Sequence, residues 1–174
     1  MPIVIRIAAD SDLPAIQGIY AHHVLHGTAS FEEVPPTVEE LRSRMQGVRD
    51  KGLPYLVAEM NGVVVGYAYA SLYRPRPAYR HTLENSVYVD KDSAGLGVGR
   101  ALMVALIEIC EKGPWRQMVA AIGDSANIAS IRLHSAMGFE HAGLFKSVGF
   151  KHGRWLDSVL MQRALGVGDG SLPS

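Results

Sequence analysis

ENSVYVDKDSAGLGVGRALM, residues 84–103, decides how this chain is read. An apolar run, Val87 to Val89, leads into three glycines, Gly95, Gly97 and Gly99, and a helix-like run follows. Strand, glycine loop and helix in that order can hold an anion. A helix N-terminus carries unpaired N–H groups and the positive end of the macrodipole. Glycines let the backbone approach a phosphate closely, and Arg100 at the helix start adds a cation. The spacing excludes two common uses. A Walker loop needs Gly-Lys-Ser/Thr, whereas Gly99 is followed by Arg100 and Ala101. A dinucleotide loop needs G-x-G-x-x-G after an early strand; here the glycines run G-x-G-x-G, late in the chain. Taken alone, the loop fits a plain glycine-rich turn equally well.

Outward from the loop, periodicity predicts the remaining elements. IVIRIAA (3–9) reads as a strand, and SDLPAIQGIYAHHVLH (11–26) as a helix with Leu13, Ile16, Tyr20 and Val24 on one face. GTASFEEVPP (27–36) is a loop. TVEELRSRMQGVRD (37–50) opens with Thr37 and Glu40 at capping-box spacing and carries a Leu41, Met45, Val48 stripe. YLVAEM and VVVGYAYASLY flank Asn61-Gly62, a favoured two-residue hairpin turn. RPRPAYRH (74–81) is a basic loop stiffened by Pro75 and Pro77, TLENSVYV (82–89) a strand, RALMVALIEICEK (100–112) an amphipathic helix, and QMVAAIG (117–123) a strand. SANIASIRLHSAM (125–137) is a helix with Gly138 as its C-cap glycine. FEHAGLFKSVGF and RWLDSVLMQRAL form a closing hairpin around KHG (151–153). The order β-α-α-β-β-β-α-β-α-β-β predicts one mixed α/β sheet with helices on its faces.

The 174 residues suit one domain, placed at 1–165, with a flexible polar, glycine-rich tail at 166–174. Lys plus Arg and Asp plus Glu number 17 each, so there is no global electrostatic footprint for nucleic acid. One cysteine excludes an intramolecular disulfide framework and a multi-cysteine zinc site. The N-terminus lacks a signal-peptide pattern, and no apolar run reaches the roughly 18 residues of a membrane span. The expected location is the cytoplasm, with no membrane partner.

About thirty residues beyond the glycine loop stands NIASIRLHSAMGFE (127–140). The two stretches together resemble the GCN5-related N-acetyltransferases (GNAT superfamily), with signatures Q/R-x-x-G-x-G/A and N-x-x-[SA]-x-x-L-[YH]-x-x-x-G-[FY]. Gly97 and Gly99 match the first; Asn127, Ser130, Leu133, His134, Gly138 and Phe139 match the second. Ala94 departs from the pattern, standing where Gln or Arg is usual. SDLPAI, GTASFEE, YLVAEMNGVVVGYAYA, RPRPAY, TLENSVYV and VGFKHGRWLD resemble the phosphinothricin and methionine sulfoximine acetyltransferase branch. GFKHGRW is more specific than the glycines, since no fold rule asks for it there.

The resemblance implies an α/β single-domain GNAT fold, with a mixed, mostly antiparallel central sheet flanked by helices. It implies an acetyl-CoA-dependent N-acetyltransferase in which the amine attacks the thioester directly. Coenzyme A is expected to meet the main chain of Val87, Tyr88 and Val89, the loop Gly95, Leu96, Gly97, Val98, Gly99 and Arg100, and Asn127 and Ser130. Glu84 is the implied general base, its pKa raised by partial burial; it also reads as an ordinary solvated or hydrogen-bonded strand residue. His134 stands where many relatives place a tyrosine that protonates the thiolate; it also fits a helix histidine in a polar pocket. An amino-acid carboxylate pairs best with arginine, which points to the loop of Arg74, Arg76 and Arg80, with Arg74 and Arg76 as the candidates, although all three also fit a solvated loop. Tyr79, Asn85 and Ser86 are expected beside the substrate, and Phe31 over its apolar part. The implied acceptors are methionine sulfoximine, methionine sulfone and phosphinothricin, and the implied chemistry is detoxification. A protein N-terminus or polyamine acceptor, or a non-catalytic acyl-CoA sensor, are the alternatives. A homodimer through the closing hairpin is implied, and Trp155 could line it.

Other residues read as structural. His22, His23 and His26 have no carboxylate or cysteine to complete a metal set, so no metal is expected and a surface helix is. Cys110 sits among apolar helix residues as core. Lys146, Lys151 and His152 fit a polar hairpin end, or a reach to a phosphate or a neighbouring subunit. Trp115 reads as packing.

Overall fold

The computed structural model describes residues 1–174. Its elements are β1 (Val4–Ile7), α1 (Leu13–His26), α2 (Val38–Asp50), β2 (Tyr55–Met60), β3 (Val63–Leu72), β4 (Thr82–Val89), α3 (Val98–Glu111), β5 (Gln117–Gly123), α4 (Ile128–Ala136), β6 (Glu140–Lys151) and β7 (Arg154–Ala164). Seven strands form one sheet in the order β1-β2-β3-β4-β5-β7-β6. Every pairing is antiparallel except β4 with β5. This is the α/β fold with a mixed, mostly antiparallel sheet that the resemblance implied.

Local chemistry sets the element ends. Thr37 accepts from the Glu40 N–H at 3.1 Å while Glu40 accepts from the Thr37 N–H at 2.7 Å, so the capping box forms. Asn61 (φ 52°) and Gly62 (φ 77°) make the β2–β3 turn with positive φ at both centres, as a mirror-image hairpin turn requires. The β6–β7 turn uses the same device with His152 (φ 52°) and Gly153 (φ 74°). It is therefore one residue tighter than KHG suggested, because Lys151 still pairs with Arg154.

Side chains alternate across the sheet, and the helices divide accordingly. A Cβ on Gly66 of β3 would lie 2.9 Å from Val98 and 3.1 Å from Leu102, so α3 packs tightly on that face. The next residue, Tyr67, points the other way and stacks on Tyr88, which meets Tyr20 of α1 at 5.0 Å. Helices α1 and α2 thus cover the second face. Strand β6 is the outer edge, with exposed side chains along most of its length. No helix is long and apolar enough to cross a membrane.

Candidate active site

The sheet splits at its parallel pair. Strands β4 and β5 are in register only from Thr82–Gln117 to Glu84–Val119, yet β4 continues to Val89 and β5 to Gly123. On its other side β4 stays paired with β3 as far as Val89. The β4 backbone beyond Glu84 therefore keeps the groups that face β5 unpaired by strand partners. A cleft opens there, walled by Asn85 to Tyr88 on one side and Ala120 to Gly123 on the other, with Asn127, Ser130 and His134 at its rim. Unpaired main chain in a cleft is a ready partner for an extended amide-bearing ligand.

At the far end of the split the glycine loop starts α3. Gly95 (φ 78°) and Gly97 (φ 85°) occupy the left-handed region, and Gly97 is the N-cap. No side chain caps the helix, and the first N–H to bond back is that of Ala101, to the Gly97 carbonyl. The N–H groups of Val98, Gly99 and Arg100 are left for an anion. Gly99 has a different reason: a Cβ there would sit 3.2 Å from Leu133 of α4. Leu96 and Arg100 are exposed beside the loop.

The second motif is one helix from cap to cap. The Asn127 side chain accepts from the Ser130 N–H at 3.3 Å and caps α4. At the other end the Gly138 N–H bonds the Ser135 carbonyl and the Phe139 N–H bonds the His134 carbonyl. With Gly138 at φ 83° this is a Schellman ending. It holds His134 in the last turn, 3% exposed, edge-on to Phe139. The His134 Nδ1 lies 2.8 Å from the Ser130 carbonyl, which only accepts, so Nδ1 carries a hydrogen. Its Nε2 meets the Asn85 Oδ1 at 3.0 Å across the split, while the Asn85 amide nitrogen is directed at the Val119 carbonyl. Burial lowers the His134 pKa. Both ring nitrogens thus face acceptors, so Nε2 donates to the Asn85 oxygen only as the imidazolium, the form that has a second proton to give, and burial opposes that charge.

Glu84 stands on the opposite face. Antiparallel register sets it against Ser71 and Ser86 against Tyr69, so Glu84 and Ser86 share the α1–α2 face. Asn85 alternates away from them, 7% exposed, with its amide directed at Val119 and His134. Its side chain therefore points to the α4 side of the sheet, away from the face that Glu84 and Ser86 share. Burial raises the Glu84 pKa, and the Arg74 charge pulls it the other way. Arg74 lies over the Tyr73 ring at 5.0 Å, and Tyr73 meets Tyr79 edge-on. Arg76 is exposed at the start of a short 3-10 turn, Pro77–Tyr79, immediately before β4.

Phe31, from the loop after α1, lies over the end of β5 and over β6, where two glycines make room for it. A Cβ on Gly149 would lie 2.6 Å from its ring, and one on Gly123 3.1 Å from it and 2.1 Å from the Thr28 carbonyl. The loop is pinned from β6: the buried Lys151 ammonium donates to the Ser30 carbonyl at 2.7 Å. His152 bonds the Gly27 carbonyl at 3.1 Å. Arg154 pairs with the buried Asp124 at 2.7 Å, and Asp157 accepts from Ser147 and Ser125. Each of these residues in VGFKHGRWLD thus has a packing or bonding task, contrary to the expectation that no fold rule asks for them. His23 was also underrated: its Nε2 bonds the Val89 carbonyl at 2.8 Å and holds the end of β4. Nothing in helical periodicity marks that contact, because it spans 66 residues. No three His, Cys, Asp or Glu side chains gather where a metal could sit.

Comparison with known proteins agrees with this geometry. The acetyltransferase (GNAT) domain family matches residues 5–160. The chain is 62% identical over 169 residues to a phosphinothricin N-acetyltransferase of Alcaligenes faecalis, covering 97% of this chain and 86% of the relative. It is 40% identical over 163 residues to an L-methionine sulfoximine/L-methionine sulfone acetyltransferase of Salmonella typhimurium, covering 94% and 95%. Among solved structures, a GNAT superfamily phosphinothricin acetyltransferase from Sinorhizobium meliloti in complex with AcCoA superposes with a TM-score of 0.96. That match is 45% identical and covers 100% of this chain and 94% of that one.

Proposed function

The chain belongs to the GNAT acetyltransferase family, and from that premise we propose that it is an acetyl-CoA-dependent N-acetyltransferase for the α-amino group of small amino acids. The preferred acceptors are phosphinothricin, L-methionine sulfoximine and L-methionine sulfone. The observation that carries the reading is the split itself. An open β4 edge leads on one side to three free N–H groups at the α3 start, and on the other to a half-buried carboxylate. The fit to acetyl-CoA is good: an open strand edge suits the pantetheine amides, and an uncapped helix start suits the pyrophosphate.

When bound, acetyl-CoA supplies an activated acetyl thioester. Glu84 removes a proton from the acceptor ammonium, directly or through water, and its raised pKa suits that task near neutral pH. The open β4 main chain at Val87 to Val89 orients the acyl donor. Arg76, with Arg74, pairs the acceptor carboxylate, Tyr79 and Ser86 line its path, and Phe31 covers its apolar part. Asn127, Ser130 and Arg100 complete the cofactor's surroundings. His134 returns a proton to the departing sulfur when it is the imidazolium, with Asn85 holding the ring. Residues 1–165 form the catalytic domain; the segment after them is tied back through Arg116, which bonds the carbonyls of Gly168, Ser171 and Leu172.

We also assign a homodimer through β6. This edge strand exposes Leu144, Phe145, Val148 and Phe150, and Trp155 lies beside them on β7. An uncovered apolar edge is a template for pairing.

The test is acetyl-CoA-dependent thiol release with phosphinothricin, L-methionine sulfoximine, spermidine and a short peptide. Turnover confined to the amino acids is the expected result. Turnover only on the polyamine or peptide moves the acceptor class, and cofactor binding without turnover on any leaves a sensor.

A further inference from the structure

A second cavity, of about 310 Å³, lies on the α1–α2 face next to Glu84. Strand β3 forms its near wall: Tyr69 and Ser71 line it, and they stand opposite Ser86 and Glu84 in register. Neighbouring strands are about 4.8 Å apart, so the cavity begins one strand from the proposed base and continues over Tyr55 of β2. The volume falls in the range of small-molecule sites. Its roof is the apolar stripe of α2, Leu41 and Val48.

The wall is unusual for a core. Tyr55, Tyr67 and Tyr69 stack with ring centroids 4.8–6.4 Å apart, and Tyr55 and Tyr67 are 3% and 1% exposed. Neither buried hydroxyl bonds a protein group, nor does that of Tyr69; among side chains the only sealed atom without a partner is His81 Nε2. The tyrosine hydroxyls therefore open onto the cavity. Both Tyr55 and Tyr67 are held protonated by burial, so each offers a donor. Arg44 and the exposed Lys51 stand at the rim. Arg44 is shared with Glu32 at 2.7 and 3.0 Å, and Glu32 also takes the Tyr20 hydroxyl. Two cations and one carboxylate leave the mouth net positive. Donors on one wall, carbon on the other and positive charge at the rim suit a short chain ending in an oxoacid.

We propose that this tyrosine-lined cavity is the subsite for the distal oxoacid group of the acceptor amino acid. The proposal rests on the amino-acid acetyltransferase reading and deepens it. The amine is held at Glu84 and the α-carboxylate at Arg76, while the side chain runs across β3 and its terminal oxygens meet the hydroxyls of Tyr69, Tyr55 and Tyr67.

The test is steady-state acetylation of phosphinothricin and of L-methionine, which lacks the oxoacid, by wild type, Tyr55→Phe, Tyr69→Phe and Gly47→Leu. Gly47 lines the cavity from α2, and nothing lies within 4 Å of a Cβ built there, so a side chain can start there without a clash and take up cavity volume. Each Tyr→Phe change is expected to raise the phosphinothricin KM about tenfold, as for loss of one hydrogen bond to a charged group. The methionine KM, the acetyl-CoA KM and kcat should stay near wild type. Gly47→Leu should abolish saturation by phosphinothricin while acetyl-CoA still binds. Wild-type turnover whose phosphinothricin KM ignores all three variants overturns the subsite and leaves the acetyltransferase standing. An equal rise for methionine in the Phe variants also overturns it, since that reports packing. No wild-type turnover on either amino acid sinks the acceptor reading and the subsite together.

Discussion

Glu84 works as a base only if its carboxylate is both basic and reachable, and its place on β4 meets both conditions. It is half-buried, which disfavours the charged form, and it faces the α1–α2 side where an acceptor can approach. The sign of the pH dependence follows. The base is lost as pH falls through its raised pKa, so the acid limb of kcat/KM should lie above the ordinary carboxylate range. Arg74 lowers that pKa, so Arg74→Ala should move the limb to higher pH, and Glu84→Gln should remove it with a loss of about 10²–10⁴ in kcat. A pH–rate profile of the three proteins measures this; a limb unmoved in Glu84→Gln takes the role away from that residue. Glu84 was legible as a candidate because of its position before SVYV. Asn85 was not: the alternation of one strand sends it to the opposite face, and which face holds the acceptor depends on where α1 and α2 pack.

The elements behave as short devices, each with its chemistry written locally. The stretch NIASIRLHSAMGF codes both caps of α4 and so delivers His134 to the split. Gly95 and Gly97 are needed for their positive φ, whereas Gly99 is needed to let α3 approach Leu133. The β6–β7 hairpin was read as a polar end or a reach to a phosphate or neighbouring subunit, but Lys151 turns inward to hold the Ser30 carbonyl, and the exposed His152 holds that of Gly27. Removing that tie should loosen the loop that carries Phe31. Lys151→Ala is expected to cost about 1–3 kcal/mol of stability, the cost of leaving a buried acceptor unpaired. It should raise the acceptor KM more than the acetyl-CoA KM. Thermal melts and the two KM values measure it, and an unchanged acceptor KM removes Lys151 from any role in the site.

At the scale of the whole molecule, one edge of the sheet is left unfinished. The β1 edge is short, four residues, whereas β6 runs twelve residues at the other edge with apolar side chains in water. Covering such an edge with a second copy removes both the unpaired backbone and the apolar surface. Sedimentation velocity should therefore give a dimer for the wild type and a monomer for Phe150→Asp with Trp155→Glu. A wild-type monomer at micromolar concentration refutes the assembly.

The amino-acid order by itself determined the element sequence, the Thr37–Glu40 capping box, the Asn61-Gly62 turn and the glycine loop. Each of these is settled by interactions within a few residues, where period, φ preference and side-chain reach are enough. It also carried the family pattern in GLGVGR and NIASIRLHSAMGF. Only the tertiary structure decided that β4 and β5 part after Glu84, that Asn85 meets His134 across 49 residues, and that Lys151 meets Ser30 across 121. It also decided that a row of tyrosines from two strands faces α2 over a cavity. These depend on how whole elements pack, and no local periodicity encodes the partner a side chain finds from far along the chain.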